Sequence, residues 1–341
     1  MNIAVVMGGI STERNISISG GKSVVDALRS IGHNVIPIDP AFGKDYKKAE
    51  ELIIDVSKPV SLEELSSYHP RSYLEMMELP IWDTIDVAFI VLHGKYGEDG
   101  LIQSLFEFKK IPYTGSSPKT CSVAMDKIFT KNMLTAYGIL TPKWMPIDAK
   151  SIDNDDTIKE IRKELGNKIV VKPNDQGSSI GISIVKSGNL DDIHSALKEA
   201  AKYSNRILVE EFIEGREITC GLINGEALPL IEIVPKDEFY NYKTKYIKGN
   251  SEYICPAELT DDVTEFVQSV SEMCYGILEV NSFCRIDYRL SEDNEPFFLE
   301  LNPIPGFTST SLVPMAAKVL GIEFPELCER LVNNAIEKRR K

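Results

Sequence analysis

FFLELNPIPGFTSTS, which runs from Phe297 to Ser311, follows FCRIDYRL, which runs from Phe283 to Leu290. Both stretches begin with the apolar pattern of strands that leave a buried core. Glu300 and Asn302 are two residues apart, so both side chains would leave the same face of an extended strand. Asp287 on the neighbouring strand would meet them there. The sequence therefore predicts two paired strands that carry a cluster of oxygen ligands.

Such a cluster favours Mg²⁺, which takes oxygen ligands and shares its coordination shell with substrate phosphates. Arg285, two residues before Asp287, would lie on the same face and supply a positive charge. The alternative is a pair of strands with acidic, solvent-facing surfaces and no metal. The apolar residues before Glu300 favour the metal, because an unpaired carboxylate at the end of a buried strand is costly.

The composition excludes several classes of protein. The chain has 341 residues, 43% of them hydrophobic, which suffices for two or three domains with cores. A net charge of −13 argues against a nucleic-acid partner. Six cysteines without a CxxC pair favour reduced thiols in the cytoplasm. The chain shows no signal-peptide pattern and no apolar span of ~20 residues, so we expect no membrane partner.

The N-terminal region alternates between strand and helix patterns. Strands are predicted over residues 2–7 and 35–38, with a helix over residues 19–31 between them, so the chain opens as an α/β unit. Further along, a single helix is predicted over residues 122–137 and a strand over residues 228–234.

Two motifs follow predicted strands. GSSIG, Gly177 to Gly181, has small residues whose backbone N–H groups would approach an anion, although a tight hairpin turn explains it equally well. It is not a Walker-type loop, which joins a strand to a helix. HGKYGEDG, His93 to Gly100, would expose His93 and Glu98 at the carboxyl end of a strand, where α/β proteins bind ligands. A structural histidine is the alternative. GGISTER, Gly8 to Arg14, lacks GxGxxG, which argues against a dinucleotide-binding dehydrogenase.

Taken together, these motifs resemble those of the D-alanine–D-alanine ligases of the ATP-grasp superfamily. The chain contains that family's RxD, ExN and HGxxGEDGxxQ motifs, and its PGxTxxSLxP motif at residues 305–314. The resemblance covers nearly the whole chain outside residues 41–83, which look like an insertion with no assigned role beyond a surface elaboration or an oligomer contact.

The resemblance implies a three-domain fold of α/β and α+β class. An open α/β substrate domain would span residues 1–117, a central ATP-grasp subdomain residues 118–208, and a C-terminal catalytic subdomain residues 209–341. ATP would lie between the two C-terminal α+β domains.

The resemblance also implies an ATP site. Glu210 would accept from the exocyclic amine of adenine, and Glu217 would bind the ribose hydroxyls. For any single glutamate the alternative is a solvated face. Two Mg²⁺ ions, with Mn²⁺ as a substitute, would bind Asp287, Glu300 and Asn302. The residues implied to hold ATP are Lys127, Lys172, Ser179, Glu210, Glu211, Ile213, Glu217 and Lys245.

Catalytic roles are implied in the same way. Glu13 would hold the ammonium of the first D-alanine, and Tyr246 would bond to Glu13 and Ser178. Arg285 and the Gly306 amide would stabilise the oxyanion. His93, Ser311 and the Leu312 amide would bind substrate. The stretch FYNYKTKY, residues 239–246, would cover the site; it departs from the family pattern at Asn241 and Lys243, which removes negative charge.

The implied reaction joins two D-alanines through an acyl phosphate for peptidoglycan synthesis, in a cytoplasmic homodimer whose partners are D-alanine and ATP. Two alternatives stay open. One is a related ligase that makes D-Ala–D-lactate or D-Ala–D-serine, for which the residues near Tyr246 discriminate. The other is a nucleotide-binding regulator on a decayed scaffold, which would have lost a metal ligand or a phosphate lysine; none is lost.

Overall fold

A computed structural model describes residues 1–52, 60–235 and 251–340. Lys245 and Tyr246, and the departures at Asn241 and Lys243, lie outside these residues. Three sheets organise the described part of the chain.

The N-terminal sheet is parallel, with strand order β2-β1-β3. Ile3 of β1 pairs with Val35 of β2 and with Val87 of β3. Because the crossover connections place helices on both faces, each strand is a continuous apolar run. The elements are β1 (Asn2–Val6), α1 (Arg14–Ser30), β2 (Asn34–Ile38), α2 (Leu62–Ser66), α3 (Arg71–Met77), β3 (Val87–Ile90) and α4 (Leu101–Lys109).

Alternate residues of β1 enter different cores. Ile3 and Val5 pack with α1 and with the helix at the C-terminal end, α11 (Phe324–Arg340). Ala4 and Val6 pack on the opposite face with α3 and α4. The final helix of the chain therefore covers one face of the first sheet.

The central sheet is antiparallel, with strand order β4-β7-β5-β6. Its apolar face packs on two amphipathic helices, which bury Ile161 and Leu197 against Val171 and Val209. The elements are β4 (Trp144–Asp148), α7 (Asp155–Leu165), β5 (Ile169–Pro173), β6 (Ser183–Val185), α8 (Leu190–Ala201) and β7 (Arg206–Glu211).

The C-terminal sheet is antiparallel, with strand order β11-β10-β8-β12-β13 and with β9 against β8. The elements not yet given are α5 (Pro118–Met125), α6 (Lys127–Ala136), β8 (Arg216–Ile223), β9 (Glu226–Ala227), β10 (Ile231–Pro235), β11 (Ser251–Ile254), α9 (Asp261–Ile277), β12 (Phe283–Leu290), β13 (Pro296–Asn302) and α10 (Leu312–Val319). Helices α5, α6 and α9 pack on one face, where Leu134 and Val267 meet Ile286 and Phe298.

Three sequence predictions of secondary structure are wrong in detail. The helix predicted over residues 19–31 begins five residues earlier, at Arg14. The single helix over residues 122–137 is two helices, α5 and α6, because Asp126 leaves helical geometry (φ −88°, ψ 95°). Its carboxylate accepts from the Phe129 N–H and caps α6. The strand over residues 228–234 begins instead at Ile231, after the short β9. Strand β7 also runs through the predicted domain boundary at residue 208, and the domain division stays a prediction.

Among the described helices, none is long and apolar enough to cross a lipid bilayer.

Candidate active site

Strands β12 and β13 bring the predicted oxygen ligands together. Asp287 lies opposite Glu300, and Arg285 lies opposite Asn302. The Asn302 Nδ2 lies 3.2 Å from Asp287 Oδ2. The expectation that Asp287 meets the ExN residues across two strands is confirmed. Their role as metal ligands stays a prediction.

The Asp287 carboxylate is held in place from two directions. Arg285 donates through Nε and Nη2, at 2.8 Å and 2.7 Å, to its two oxygens. Thr219 on β8 donates to Oδ1 at 2.7 Å. All three side chains are buried. A bidentate arginine fixes the carboxylate plane as well as its charge.

A β-bulge interrupts β13 directly before Glu300. Asp287 pairs with Glu300, whereas the next residue of β12, Tyr288, pairs with Phe298. Leu299 is therefore the extra residue. Because a bulge resets the alternation of side chains, Glu300 and Asn302 face Asp287 while Phe298 still enters the core.

One cleft lies at the end of these strands and is lined by residues from the N-terminal, central and C-terminal parts of the chain. Ser178 from the GSSIG loop donates a hydrogen bond to Glu13 at the N-terminus of α1. Both side chains are buried. The lining residues are Glu13, Ile16, His93, Glu98, Gly177, Ser178, Arg285, Asn302, Ile304, Pro305 and Gly306.

The GSSIG loop has a backbone shaped for close approach. Ser178 and Ser179 lie in the left-handed region, with φ of 52° and 58°. Non-glycine residues pay of order 1 kcal/mol or more for this conformation, and two such residues in succession in a loop that lines the cleft are consistent with a binding role. A Cβ on Gly177 would lie 3.1 Å from a Glu13 oxygen, so the glycine lets this loop approach α1.

Two titratable groups from the His93 loop are buried in the cleft. Burial lowers the pKa of His93 to about 4, and its Nε2 has no hydrogen-bond partner among the described residues. Burial, and then repulsion from Glu13, raise the pKa of Glu98 to about 8, although its carboxylate accepts from the Gly94 N–H at 2.8 Å. At neutral pH the imidazole is neutral and Glu98 is mostly protonated.

A second cluster of charges lies where the central sheet faces α6. Glu210 on β7 is buried between Lys131, at 2.5 Å, and Lys172 on β5. Burial alone would raise the pKa of Glu210, but the two lysines outweigh it and hold that pKa below its usual value. Lys127, one turn before Lys131 on α6, lies 3.4 Å from Glu300 and so links this cluster to β13.

The structure also places the remaining predicted nucleotide residues. Glu211 is the last residue of β7; its N–H donates to Lys143 O, and its carboxylate accepts from the Lys143 N–H. The carbonyl of Ile213 accepts from Arg289 at 3.2 Å. Glu217 lies on β8, opposite Ile233 of β10. Glu211 and Ile213 therefore lie on the connection between the central and C-terminal sheets.

Ser311 and Leu312 lie beyond β13, where α10 begins. Ser311 is the residue before the helix (φ −72°, ψ 160°), and its hydroxyl oxygen accepts from the Thr308 N–H at 2.9 Å. Leu312 is the first helical residue, so its N–H is one of the groups that a helix leaves unpaired at its start.

Comparisons with known proteins match the chain along nearly its whole length. The family model for the D-ala D-ala ligase N-terminus matches residues 2–116, and the model for the C-terminus matches residues 133–333. The chain belongs to the D-alanine–D-alanine ligase family. It is 37% identical to the D-alanine–D-alanine ligase of Aquifex aeolicus over 97% of this chain and all of that one. It is 38% identical to that of Carboxydothermus hydrogenoformans over the full length of both.

Solved structures of this ligase family have the same fold. The D-alanine–D-alanine ligase from Bacillus anthracis superposes with a TM-score of 0.78 at 30% identity, covering 100% of this chain and 99% of that one. The same enzyme complexed with ATP gives a TM-score of 0.76 at 28% identity over the same shares of the two chains. The predictions of the family, of the ATP-grasp fold and of the enzyme class are confirmed.

Sequence reasoning missed two residues that contact the predicted site residues Glu210 and Asp287. Lys131 follows Lys127 by one helical turn, and that spacing on an otherwise apolar face was the available signal. Thr219 lies on β8 with no distinguishing local pattern, and only the strand pairing Asp287↔Thr219 brings it to the carboxylate.

Proposed function

We propose that the chain catalyses the ATP-dependent ligation of two D-alanines to D-alanyl-D-alanine for peptidoglycan synthesis. The observation that carries this proposal is the single cleft in which Glu13, His93, Ser178 and Arg285 meet at the end of the Asp287–Glu300 strand pair. The family to which the chain belongs performs this ligation.

In the first step, the carboxylate of the first D-alanine attacks the γ-phosphate of ATP, and the products are an acyl phosphate and ADP. Glu13 would hold the substrate ammonium, with Ser178 fixing the rotamer of Glu13 through their hydrogen bond. His93 lines the same cleft, and its buried Nε2 has no hydrogen-bond partner among the described residues, which supports a contact with the same D-alanine.

ATP would lie between the central and C-terminal sheets. Lys127 on α6 and Lys172 on β5 would reach its phosphates, and Ser179 would do so from the GSSIG loop. Because Glu211 and Ile213 lie on the connection between the two sheets, we propose that they contact adenine there. We propose that Glu217 contacts the ribose. Glu210 is already engaged by two lysines, so we propose that it orients Lys172 in addition to meeting adenine.

Two Mg²⁺ ions are also part of the proposal. Two carboxylates and an amide that face one another across β12 and β13 are the donor set that Mg²⁺ prefers, so Asp287, Glu300 and Asn302 fit the ions. The ions would supply positive charge against the transferring phosphate, with Mn²⁺ as a substitute.

In the second step, the free amine of the second D-alanine attacks the acyl carbon and inorganic phosphate leaves. Arg285, held rigid by Asp287, and the Gly306 amide would stabilise the oxyanion. Ser311 and the Leu312 amide would bind the second carboxylate at the start of α10. Lys245 and Tyr246 belong to the same proposal on the sequence resemblance alone.

We further propose a cytoplasmic homodimer. Leu74, Leu101 and Phe108 are exposed apolar side chains on α3 and α4, and their burial against a second copy would be favourable. All six cysteines are free thiols, the state typical of a reducing compartment. Light scattering that gives 38.1 kDa, the mass of one chain, would refute the dimer, and fractionation of cells tests the location.

The deciding experiment measures phosphate release from ATP with D-alanine, L-alanine or no amino acid. We expect release only with D-alanine and Mg²⁺, and D-alanyl-D-alanine as the product. Equal release without any amino acid would show that the reaction is ATP hydrolysis and would refute the ligase proposal.

A further inference from the structure

The loop that carries Glu13 is held by residues far from it in sequence. Its two glycines, Gly8 and Gly9, have φ of 83° and 75°, a conformation that other residues adopt only with strain. A Cβ on Gly9 would lie 2.5 Å from the hydroxyl oxygen of Tyr73. The loop therefore lies directly against α3, which lies within residues 41–83, the segment that the sequence resemblance predicts to be an insertion and that we call the inserted segment.

Tyr73 contacts both loops that supply groups to the first D-alanine. Its hydroxyl oxygen accepts from the Ile10 N–H at 3.2 Å, three residues before Glu13. Its ring packs against Tyr96 with centroids 5.7 Å apart, and Tyr96 lies between His93 and Glu98 in the second loop. Tyr73 is 5% exposed, and its partners Ile10 and Tyr96 are half-buried.

A buried ion pair between Arg14 and Asp39 also holds the loop that carries Glu13. Arg14, the residue after Glu13, is 2.5 Å from Asp39 and donates to Gly9 O at 2.7 Å. Its guanidinium lies over the rings of Phe42 and Tyr68, both in the inserted segment, at 5.3 Å and 4.8 Å from their centroids. The charge, the two rings and Tyr73 leave the Glu13 loop little freedom to move.

We propose that Tyr73 is a positioning residue for the first D-alanine: it fixes the spacing between Glu13 and the His93–Glu98 loop. This inference rests on the proposed function, and it gives the inserted segment a role in substrate binding. The described residues of the segment contact the Glu13 loop and the His93–Glu98 loop, whereas Lys172 and Glu210 pair with each other on the central sheet, so the effect falls on D-alanine and spares ATP.

The test compares Tyr73→Phe with Tyr113→Phe. The first change keeps the ring against Tyr96 and removes only the acceptor of the Ile10 N–H. The second removes a hydroxyl of the same type, which donates to Glu107 at 2.9 Å in the same domain but away from the cleft. Steady-state KM values for D-alanine and for ATP are measured for both variants, together with thermal midpoints and amide exchange of the peptide that covers residues 8–13.

We expect Tyr73→Phe to raise the KM for D-alanine about three- to tenfold, as one lost hydrogen bond would, and to leave the KM for ATP within about twofold. Exchange of the 8–13 peptide should quicken, and Tyr113→Phe should change none of these. Equal changes in both KM values, or an unchanged KM for D-alanine, would overturn the inference. Amide exchange reports on the Glu13 loop without any turnover, whereas phosphate release by the wild-type protein tests the ligase proposal. Failure of the Tyr73 inference can therefore be distinguished from failure of the proposed function.

Discussion

Binding of D-alanine should release a proton from Glu98. The pKa of this carboxyl is about 8 because it is buried and, secondarily, because it lies near Glu13. At pH 7, one unit below that value, about 0.9 of the molecules carry the proton. An ammonium bound at Glu13 adds a positive charge to the cleft and cancels the repulsion from that carboxylate. The ionised form of Glu98 is then favoured, so the proton leaves.

The expected number of protons released per D-alanine follows from the same pKa of Glu98. At pH 7 the release per D-alanine has an upper limit of about 0.9 proton, the fraction that Glu98 carries in the free protein, and it grows with the fall in the pKa of Glu98 on binding. At pH 9 the free protein has already lost most of this proton, and the release should fall to about 0.1.

The assay is titration calorimetry with D-alanine and without ATP, so that no turnover occurs. The measured heat is compared between buffers of different ionisation enthalpy, and the slope gives the number of protons released. Glu98→Gln should abolish the release, whereas Glu107→Gln, an exposed carboxylate on α4, should leave it unchanged. A wild-type release below about 0.2 at pH 7, or an equal release from Glu98→Gln, would refute the reasoning.

Three further variants test other parts of the site. Glu300→Gln should lower turnover about a hundredfold, because a charge opposite Asp287 is lost where the phosphoryl group transfers. Turnover within a few-fold of wild type, with an unchanged Mg²⁺ requirement, would show the ExN assignment to be wrong. His93→Ala should raise the KM for D-alanine about tenfold while the KM for ATP changes little, and an ATP-specific defect in the same assay would contradict this. Lys131→Met should lower the free energy of unfolding by about 3 kcal/mol in denaturant and raise the KM for ATP, because it breaks a buried ion pair with Glu210. The surface variant Lys119→Met should lower the free energy of unfolding by less than about 1 kcal/mol, and equal losses would argue against a buried charge cluster.

The strand pair of the site was predictable because it depends on local rules. Side chains two apart on a strand share a face, and RxD followed by ExN left little choice of partners. The pairing of Asp287 with Glu300 follows from those rules, although the bulge at Leu299 that completes it does not.

What the sequence did not predict depends on contacts between distant segments. Tyr73 is one tyrosine in a charged stretch with no motif, and its value comes from lying against Ile10 and Tyr96, 63 and 23 positions away. The break between α5 and α6 was missed because Asp126 interrupts an otherwise continuous helical pattern. Only its capping bond to Phe129 distinguishes it from a surface aspartate.

The helix α11 has a consequence for synthesis of the protein. Leu327, Leu331 and Val332 cover the face of the sheet that Ile3 and Val5 present. β3 ends at Ile90 and α11 begins at Phe324, which is 234 positions later. At ribosomal rates of ~5–20 residues per second, roughly 10 to 50 seconds pass between synthesis of the first sheet and synthesis of α11. The region that leaves the ribosome first is thus completed late, and during that interval the part of its apolar face that α11 covers is open to chaperones or to aggregation.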